Sequence, residues 1–224
     1  MSQEGLVYWF SADFGLEQVA ALWLWYGRSS NQEVASQIKY SAYPSIGTFA
    51  GSGRTALVFD GQDDHLALTA QAMSFVAGLT FFAVARTTSE EDCSPMLVLS
   101  NGAEIDDVSF FRHEQAFAYE VGFSRGHAGA FVAGAPLLLE VTHATDGSVS
   151  LFRNGLAIGA ASIPLPPDIT RENNFIGFAS YTPCSTWSGE LAEVLLYARV
   201  LPPNEHQAIH SYLVEKWGCC TSPI

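Results

Sequence analysis

From Thr55 onward, short apolar runs of strand length recur at regular intervals, and each run ends at Gly, Asn, Asp, Pro or Ser. Short, evenly spaced runs of this kind are typical of β-sandwiches and barrels, whereas strands that alternate with longer helical patterns would indicate a parallel sheet. The predicted strands cover residues 55–60, 64–69, 78–87, 95–100, 107–113, 116–122, 137–145, 148–153, 156–161, 173–179 and 188–198. Eleven strands suit the two packed sheets of a jelly roll.

Two dipeptides mark hairpin turns within this series. Asp146-Gly147 and Asn154-Gly155 each separate two short alternating runs. Both dipeptides supply the positive φ angles that a type I′ turn requires. The stretch from Leu137 to Ala161 is therefore predicted to be a three-stranded meander.

The two ends of the chain differ from this middle part. A short apolar strand over residues 5–10 precedes a stretch from Ser11 to Gly53 without sustained periodicity, which predicts a long loop with a helical turn over Leu16–Trp23. Near the other end, Pro203 suits the first turn of a helix. Ile209, Leu213 and Trp217 follow at four-residue spacing, and Gly218 ends the pattern. One amphipathic helix is expected to dock on the sandwich.

Composition and charge exclude several classes of function. The chain has 23 acidic and 10 basic residues and a formal net charge of −13, with no cluster of Lys or Arg to neutralise phosphates. Nucleic-acid binding is therefore not expected. No apolar run approaches the roughly 20 residues of a membrane span, and no secretory signal follows Met1, so membrane insertion is not expected either. A sandwich of this length commonly forms one core, which predicts a single domain over residues 1–224.

Several motifs, in order and spacing, resemble the laminin G-like branch of the concanavalin A-like lectin/glucanase superfamily. The resemblance implies an all-β, concanavalin A-like jelly-roll β-sandwich of two antiparallel sheets with one C-terminal α-helix. Because members of such a superfamily share architecture and not one activity, it leaves glycan binders, adhesion modules, virion proteins and glycosidases open. The motifs are Val7–Asp13, the corner Phe59-Asp60-Gly61-x-Asp63-Asp64, the strand Leu79–Val84, the turn Asn154-Gly155, and the closing segment Gly189–Gly218.

Glycosidase chemistry would need two convergent carboxylates. Retaining enzymes hold a nucleophile and an acid/base about 5 to 5.5 Å apart, and glucanases of the superfamily place them on one strand as Glu-x-Asp-x-x-Glu or Glu-x-Asp-x-Glu. The segment Glu104–Ser109 begins in this way but has Val108 and Ser109 where the last Glu is needed. Glu190 and Glu193 are an odd number of residues apart, so a regular strand would turn them to opposite faces. The chain is therefore predicted not to be an enzyme.

Three aspartates at one corner offer hard oxygen ligands. Asp60, Asp63 and Asp64 lie within five residues, and Ca²⁺ recruits such groups when carbonyl oxygens complete its coordination. In the alternative interpretation, Asp60 caps the turn by accepting backbone N–H groups while Asp63 and Asp64 are hydrated. Calcium at this acidic turn, residues 60–64, is the one cofactor that the sequence suggests.

Histidines and cysteines give weaker indications. His206 and His210 are four residues apart on the predicted helix and could hold a metal together, but the sequence fixes no acidic partner, so a solvated helix face is expected. The four cysteines do not form a C-x-x-C motif, and free thiols are favoured over a bridge from Cys219 or Cys220 to Cys93 or Cys184.

Sugar recognition needs aromatic faces that stack on pyranose rings, together with planar hydrogen-bonding groups. The predicted ligand-binding residues are aromatic side chains of the opening segment and of the segment before the last strand, with three polar partners. They are Trp23, Trp25, Tyr26, Tyr181 and Trp187, and Asn173, Asn174 and Arg112.

Taken together, the sequence favours a non-catalytic carbohydrate-binding or adhesion module that recognises glycans on a surface. The alternative is a structural or decoration protein of a phage particle or another large assembly, which would bind protein subunits and not sugar. Either function places the protein outside cells, on a cell surface or in a virion, although no signal peptide is visible in this chain.

Overall fold

The computed structural model describes residues 2–88, 93–103, 105–129, 131, 133–180 and 186–220. Within these residues, nineteen strands, one 3₁₀ helix and one α-helix form two large antiparallel sheets, a small two-stranded sheet and a C-terminal helix. The predicted β-sandwich fold class is confirmed.

Sheet I is the eight-stranded sheet. Its order is β16-β15-β14-β9-β19-β6-β5, and β1 also pairs with β19. Its strands are β1 (Leu6–Ser11), β5 (Ser45–Thr48), β6 (Thr55–Asp60), β9 (Leu79–Thr87), β14 (Leu137–His143), β15 (Ser148–Arg153), β16 (Leu156–Ser162) and β19 (Ser188–Tyr197).

Sheet II is the nine-stranded sheet, in the order β13-β12-β11-β10-β18-β7-β4-β3-β2. Two further short strands, β8 (Gln71–Met73) and β17 (Ile169–Arg171), pair with each other. The strands of sheet II are β2 (Leu16–Val19), β3 (Leu22–Tyr26), β4 (Val34–Gln37), β7 (Leu66–Leu68), β10 (Cys93–Leu99), β11 (Val108–His113), β12 (Ala116–Val121), β13 (Ser124–Ala128) and β18 (Asn174–Ile176).

The main core fills the space between the two sheets. Alternate residues of β9 point into it, so that Phe81 stacks on Phe110 of β11 with ring centroids 3.8 Å apart, and Phe110 stacks on Tyr119 of β12. The other residues of β9, such as Phe82, are also fully buried, on the opposite face of sheet I. This strand is apolar on both faces because sheet I is covered on both sides.

Helix α1 (Pro203–Trp217) covers the outer face of sheet I. Its buried stripe is Ile209, Leu213 and Trp217, as the spacing predicts. Gly218 ends the helix in the left-handed conformation, with φ at 59°, and its N–H donates to the carbonyl of Val214.

A second set of contacts ties the helix to sheet I through one buried carboxylate. Glu193 of β19 is fully buried, and its oxygens accept hydrogen bonds from Trp9 Nε1 at 2.6 Å, Trp217 Nε1 at 2.7 Å, Lys216 Nζ at 2.8 Å and Tyr212 Oη at 3.1 Å. Burial lowers the pKa of Lys216, but the charge of Glu193 and the hydrogen bonds more than offset this and raise it above its usual value. Lys216 and Glu193 therefore form a buried ion pair beneath the helix.

The opening segment was predicted wrongly. Residues 11–53 are not a long loop with a helical turn: β2 and β3 form a hairpin over Leu16–Tyr26, and β4 and β5 follow. The strands have four or five residues each, so no run is long enough to show a period. Ala20 reaches the positive φ of 54° that its turn needs without a glycine to mark it.

The prediction of free thiols was also wrong. Cys219 and Cys220 form a disulfide with each other, and Cys93 is disulfide-bonded as well. Spacing arguments treat cysteines as partners when they are separated in sequence. Here two adjacent residues bond instead, and Cys184 lies outside the described residues.

The contribution of the buried ion pair can be measured because the chain has only two lysines. Lys216→Met should lower the free energy of unfolding by about 3 kcal/mol, since it leaves the Glu193 carboxylate without its counter-charge in a buried site. Lys39→Met is the control, because Lys39 forms an exposed pair with Asp63 and should matter far less. Chemical denaturation of both variants checks this, and equal effects of the two substitutions would contradict the assigned role of Glu193.

Candidate functional site

The outer face of sheet II carries a continuous transverse row of side chains. Residues paired directly across antiparallel strands share one face. The register therefore aligns Glu17, Leu24, Ser36, Ala67, Phe175, Val98, Ser109, Glu120 and Arg125 across all nine strands. Because α1 covers the outer face of sheet I, the row lies on the side of the sandwich opposite the helix.

An aromatic group occupies the middle of this face. His65, Phe175 and Phe178 form it, with ring centroids 5.0 Å apart for His65 and Phe178, 5.1 Å for Phe175 and Phe178, and 5.9 Å for His65 and Phe175. All three side chains are half-buried. The group therefore presents partly exposed aromatic faces that are fixed against one another.

Hydrogen bonds define the orientation of His65. Its Nε2 lies 2.9 Å from Gln37 Nε2, which can only donate, and its Nδ1 lies 2.8 Å from the carbonyl oxygen of Asp63. With the Gln37 amide oriented by the backbone N–H groups of Ile38 and Lys39, His65 accepts at Nε2 and donates from Nδ1. These contacts hold the ring between β4 and the acidic turn.

An arginine group lies at the β13 edge of the same face. Arg125 donates from Nε to Glu120 at 2.5 Å and from Nη1 to His113 Nε2 at 3.0 Å, and its guanidinium carbon lies 5.1 Å from the ring centroid of Phe111. Burial and the charge of Arg125 lower the pKa of His113, which favours the neutral ring that accepts a hydrogen bond from Arg125. Nη2 of Arg125 makes no hydrogen bond to any described residue and can donate outward.

A closed patch separates the two groups. Val98, Phe111 and Ala118 are outward-facing but almost fully buried, and they cluster with Cys93 and with Ala179, which follows β18. Four strand spacings separate Phe175 from Arg125, which corresponds to about 19 Å. The outer face of sheet II is therefore an extended surface with one contact group at its centre and one at its edge.

The acidic turn adjoins the aromatic group through Asp63 and His65. One oxygen from each of Asp60, Asp63 and Asp64 lies within 4.8 Å of the others. Asp60 Oδ1 accepts from the N–H of Gln62 at 2.8 Å, which is the predicted capping bond. Asp63 is not merely hydrated, because it pairs with Lys39 at 2.8 Å, and Asp64 is buried and accepts from the N–H of Asp60 at 2.9 Å.

The acidic turn perturbs one pKa strongly. Burial of the Asp64 carboxyl, with added repulsion from Asp60 and Asp63, raises its pKa to about 6. The turn therefore places three carboxyl groups close together, with the ammonium group of Lys39 beside Asp63.

Most of the predicted ligand-binding residues are buried. Trp23, Trp25 and Trp187 belong to the main core, and Trp25 and Trp187 have no exposed surface at all. Arg112 and Asn174 are each only 1% exposed. Asn174 accepts from the N–H of Ser100 and donates to the carbonyl of Arg171, which makes it a structural link. As placed, these five side chains cannot stack on or contact a sugar at the surface.

The structure describes two of the other three predicted ligand-binding residues. Tyr26 is 37% exposed and pairs with Val34 at one end of sheet II. Asn173 is exposed, and its backbone bonds to Ser100. Tyr181 lies outside the described residues. Sequence reasoning missed the aromatic and arginine groups because their members come from separate strands, although the alternation of Phe175 with the buried Ile176 was a signal that Phe175 faces outward.

The carboxylates considered for glycosidase chemistry have structural contacts. Glu190 pairs with Arg86 at 2.6 Å, and Glu193 is held beneath α1. A register shift between Leu191 and Glu193 interrupts the alternation of side chains along β19. The prediction that Glu190 and Glu193 face opposite sides assumed a regular strand, and β19 is not regular between them. Asp106 accepts from Asn101, Asp107 is buried, and Glu104 lies outside the described residues.

Sequence comparisons identify no relative. No protein-family model matches the chain, and no curated protein matches it significantly. Among the residues that the structure describes, no helix is long and apolar enough to cross a membrane.

Structural comparisons find similar folds at low identity. A Trypanosoma rangeli sialidase in complex with a difluorinated nononic acid superposes over 96% of this chain and 33% of its own, at 15% identity and a TM-score of 0.61. The Ruminococcus gnavus IT-sialidase CBM40, bound to α2,3-sialyllactose, matches over 69% of this chain and 95% of its own, at 13% identity and a TM-score of 0.53. A botulinum neurotoxin type C chain matches over 94% of this chain and 52% of its own, at 8% identity and a TM-score of 0.63.

These similarities concern the fold. The chain spans about a third of the length of the sialidase chains that it matches. What the chain is seen to share with these structures is the fold, a β-sandwich of two large antiparallel sheets.

Proposed function

We propose that the protein is a non-catalytic carbohydrate-binding module that recognises a glycan on the outer face of sheet II. The observation that carries this proposal is the pairing of partly exposed, mutually fixed aromatic rings with an arginine on one sheet face. Aromatic faces stack on the apolar faces of sugar rings, and planar polar groups fix sugar orientation. The aromatic group would stack on one sugar residue, and Arg125 would donate a hydrogen bond to a hydroxyl or carboxylate of another sugar residue further along the glycan.

The arginine group is suited to this role because the Arg125 side chain is already held in position before a ligand binds. Glu120 and His113 hold the guanidinium, and Phe111 supports its face. A group that is ordered before binding loses less conformational entropy on binding. Its free Nη2 can then form a charge-assisted hydrogen bond to a sugar oxygen.

Proteins of similar fold that interact with glycans support the proposal. The CBM40 structure contains sialyllactose, and cell entry of botulinum neurotoxin type C depends on interaction with two ganglioside molecules. Membership of the laminin G-like branch, within the wider lectin-like fold, is part of the same proposal, as is a location outside cells or on a cell surface. The contrasting candidate is a structural subunit of a phage particle or other assembly, which would use the same face to bind protein.

Glycan-array binding tests the proposal directly. The native chain should bind a defined set of glycans, and Arg125→Gln should weaken that binding by roughly 10- to 100-fold, the effect of losing a hydrogen bond to a charged group. Phe178→Ala should weaken it as well, since it removes one face of the aromatic group. Arg54→Gln is the matched control, because Arg54 pairs with Asp13, which also pairs with Lys216 of α1 on the sheet I side.

Two results would count against this function. Blank wells at all glycans would reject glycan binding and favour the assembly role. Binding that survives Arg125→Gln and Phe178→Ala unchanged would place the sugar elsewhere on the molecule.

We further propose that the acidic turn binds Ca²⁺ through Asp60, Asp63 and Asp64. Three convergent carboxylates supply the ligand type that Ca²⁺ prefers. A bound ion would fix the turn whose Asp63 carbonyl holds His65, and would thereby order the aromatic group.

Calcium should reverse the way in which the stability contributed by the acidic turn depends on pH. In the folded chain without calcium, Asp64 has a pKa of about 6, which is above its unfolded value. The contribution of Asp64 to the free energy of unfolding therefore falls as the pH rises from about 4 to 6. Ca²⁺ favours the ionised form, so excess CaCl₂ should lower the Asp64 pKa and raise the melting temperature at pH 7.5 relative to EDTA. Carboxyl NMR titration and thermal melts check this, and an Asp64 pKa that calcium leaves unchanged would rule out binding there.

A further inference from the structure

Two histidines of α1 meet a buried glutamate on the outer face of sheet I, on the opposite side of the molecule from the proposed glycan surface. His206 and His210 lie on adjacent turns of the helix and face the same way. Glu140 of β14 projects beneath them and has no exposed side-chain surface. The expectation of a solvated helix face for the two histidines is therefore wrong.

The two oxygens of Glu140 have different surroundings. Oε1 accepts from the N–H of Gly155 at 3.1 Å and lies 3.1 Å from His210 Nδ1. Oε2 has no hydrogen-bond partner, and neither does His206 Nε2, although these two buried atoms face each other at 3.4 Å. A buried carboxylate oxygen without a partner is costly and calls for a ligand or an ion.

The spacing of the two unpartnered atoms fits a shared metal ion. Ligand atoms bound to one zinc ion at about 2.0 to 2.1 Å in tetrahedral geometry lie about 3.4 Å apart. We propose that Glu140 Oε2 and His206 Nε2 bind a divalent transition-metal ion of the zinc type. Water completes the coordination from the adjoining cleft of about 330 Å³, which Thr142, Phe152 and Gln207 help to line.

His210 and Gly155 act as positioning residues for this site. Both hold Oε1 of Glu140, which leaves Oε2 directed at His206; outer hydrogen bonds of this kind orient ligating carboxylates. Gly155 also leaves room for the His210 ring, since a Cβ at position 155 would lie 2.8 Å from His210 Cε1. The glycine of the Asn154-Gly155 turn thus serves both the turn and the site.

Titration with ZnCl₂ after EDTA treatment tests the proposal on the full chain. By calorimetry the native protein should bind one zinc ion at this site, and binding of CoCl₂ should give the visible absorption of low-coordinate cobalt. His206→Phe and Glu140→Gln should each weaken zinc binding by more than about 10-fold. Phenylalanine suits position 206 because the His206 ring packs against Phe82 and Phe152. The matched control, His127→Phe at an exposed position of β13, should bind zinc as the native chain does.

Absence of zinc binding to the native chain, or equal binding by His206→Phe and Glu140→Gln, would overturn the proposal. If either variant fails to fold, as judged by circular dichroism, imidazole NMR of the native chain decides. Zinc should then shift the Nε2 resonance of His206 and leave those of His113 and His127 in place. Shifts at His113 or His127 alone would reject the site. Neither result depends on glycan binding.

Discussion

A buried carboxylate beneath a helix determines which surfaces of this sandwich are available. Glu193 is fully enclosed, and four donors from β1 and α1 converge on it, including the ammonium group of Lys216. An unpaired charge at this depth would be strongly destabilising, so the helix and sheet I must stay together. The apolar stripe of Ile209, Leu213 and Trp217 adds the burial that makes the contact favourable.

This arrangement makes the two sides of the molecule unequal. Sheet I is covered on both faces, whereas the outer face of sheet II carries its own half-buried aromatic group and an ordered arginine. Each contact group draws on neighbouring strands: the aromatic group on β18 and the residues beside β7 and β18, the arginine group on β11, β12 and β13. A rigid sheet holds such groups at fixed separation, which suits recognition of an extended ligand. On the covered side, the helix instead brings His206 and His210 onto Glu140.

Local patterns predicted much of the fold. Evenly spaced apolar runs indicated the β-sandwich, four-residue spacing gave the buried face of α1, and Asn154-Gly155 gave a hairpin whose φ angles are 52° and 77°. Asp60 was also correctly considered as a turn cap. These features depend on residues that are close in sequence, where steric and hydrogen-bonding preferences act directly.

Features that depend on long-range placement were not predictable in this way. Trp25 and Trp187 have the chemistry of sugar-stacking residues, yet the strands around them direct both side chains into the core. The register shift in β19 cannot be recognised from residue alternation. The partner of the helix histidines, Glu140, is about 70 residues away in sequence, and only sheet pairing brings it under α1. The topology of the sheets therefore determines which residues form each site, and the chemistry of single residues is not sufficient to predict them.

The most direct test is an NMR map of the protein titrated with the glycan that binds it most tightly. Aromatic and guanidinium resonances of His65, Phe175, Phe178 and Arg125 should shift together in a saturable manner, while those of α1 and β19 stay constant. Shifts confined to α1, or to residues away from the outer face of sheet II, would contradict the claim that this face is the recognition surface.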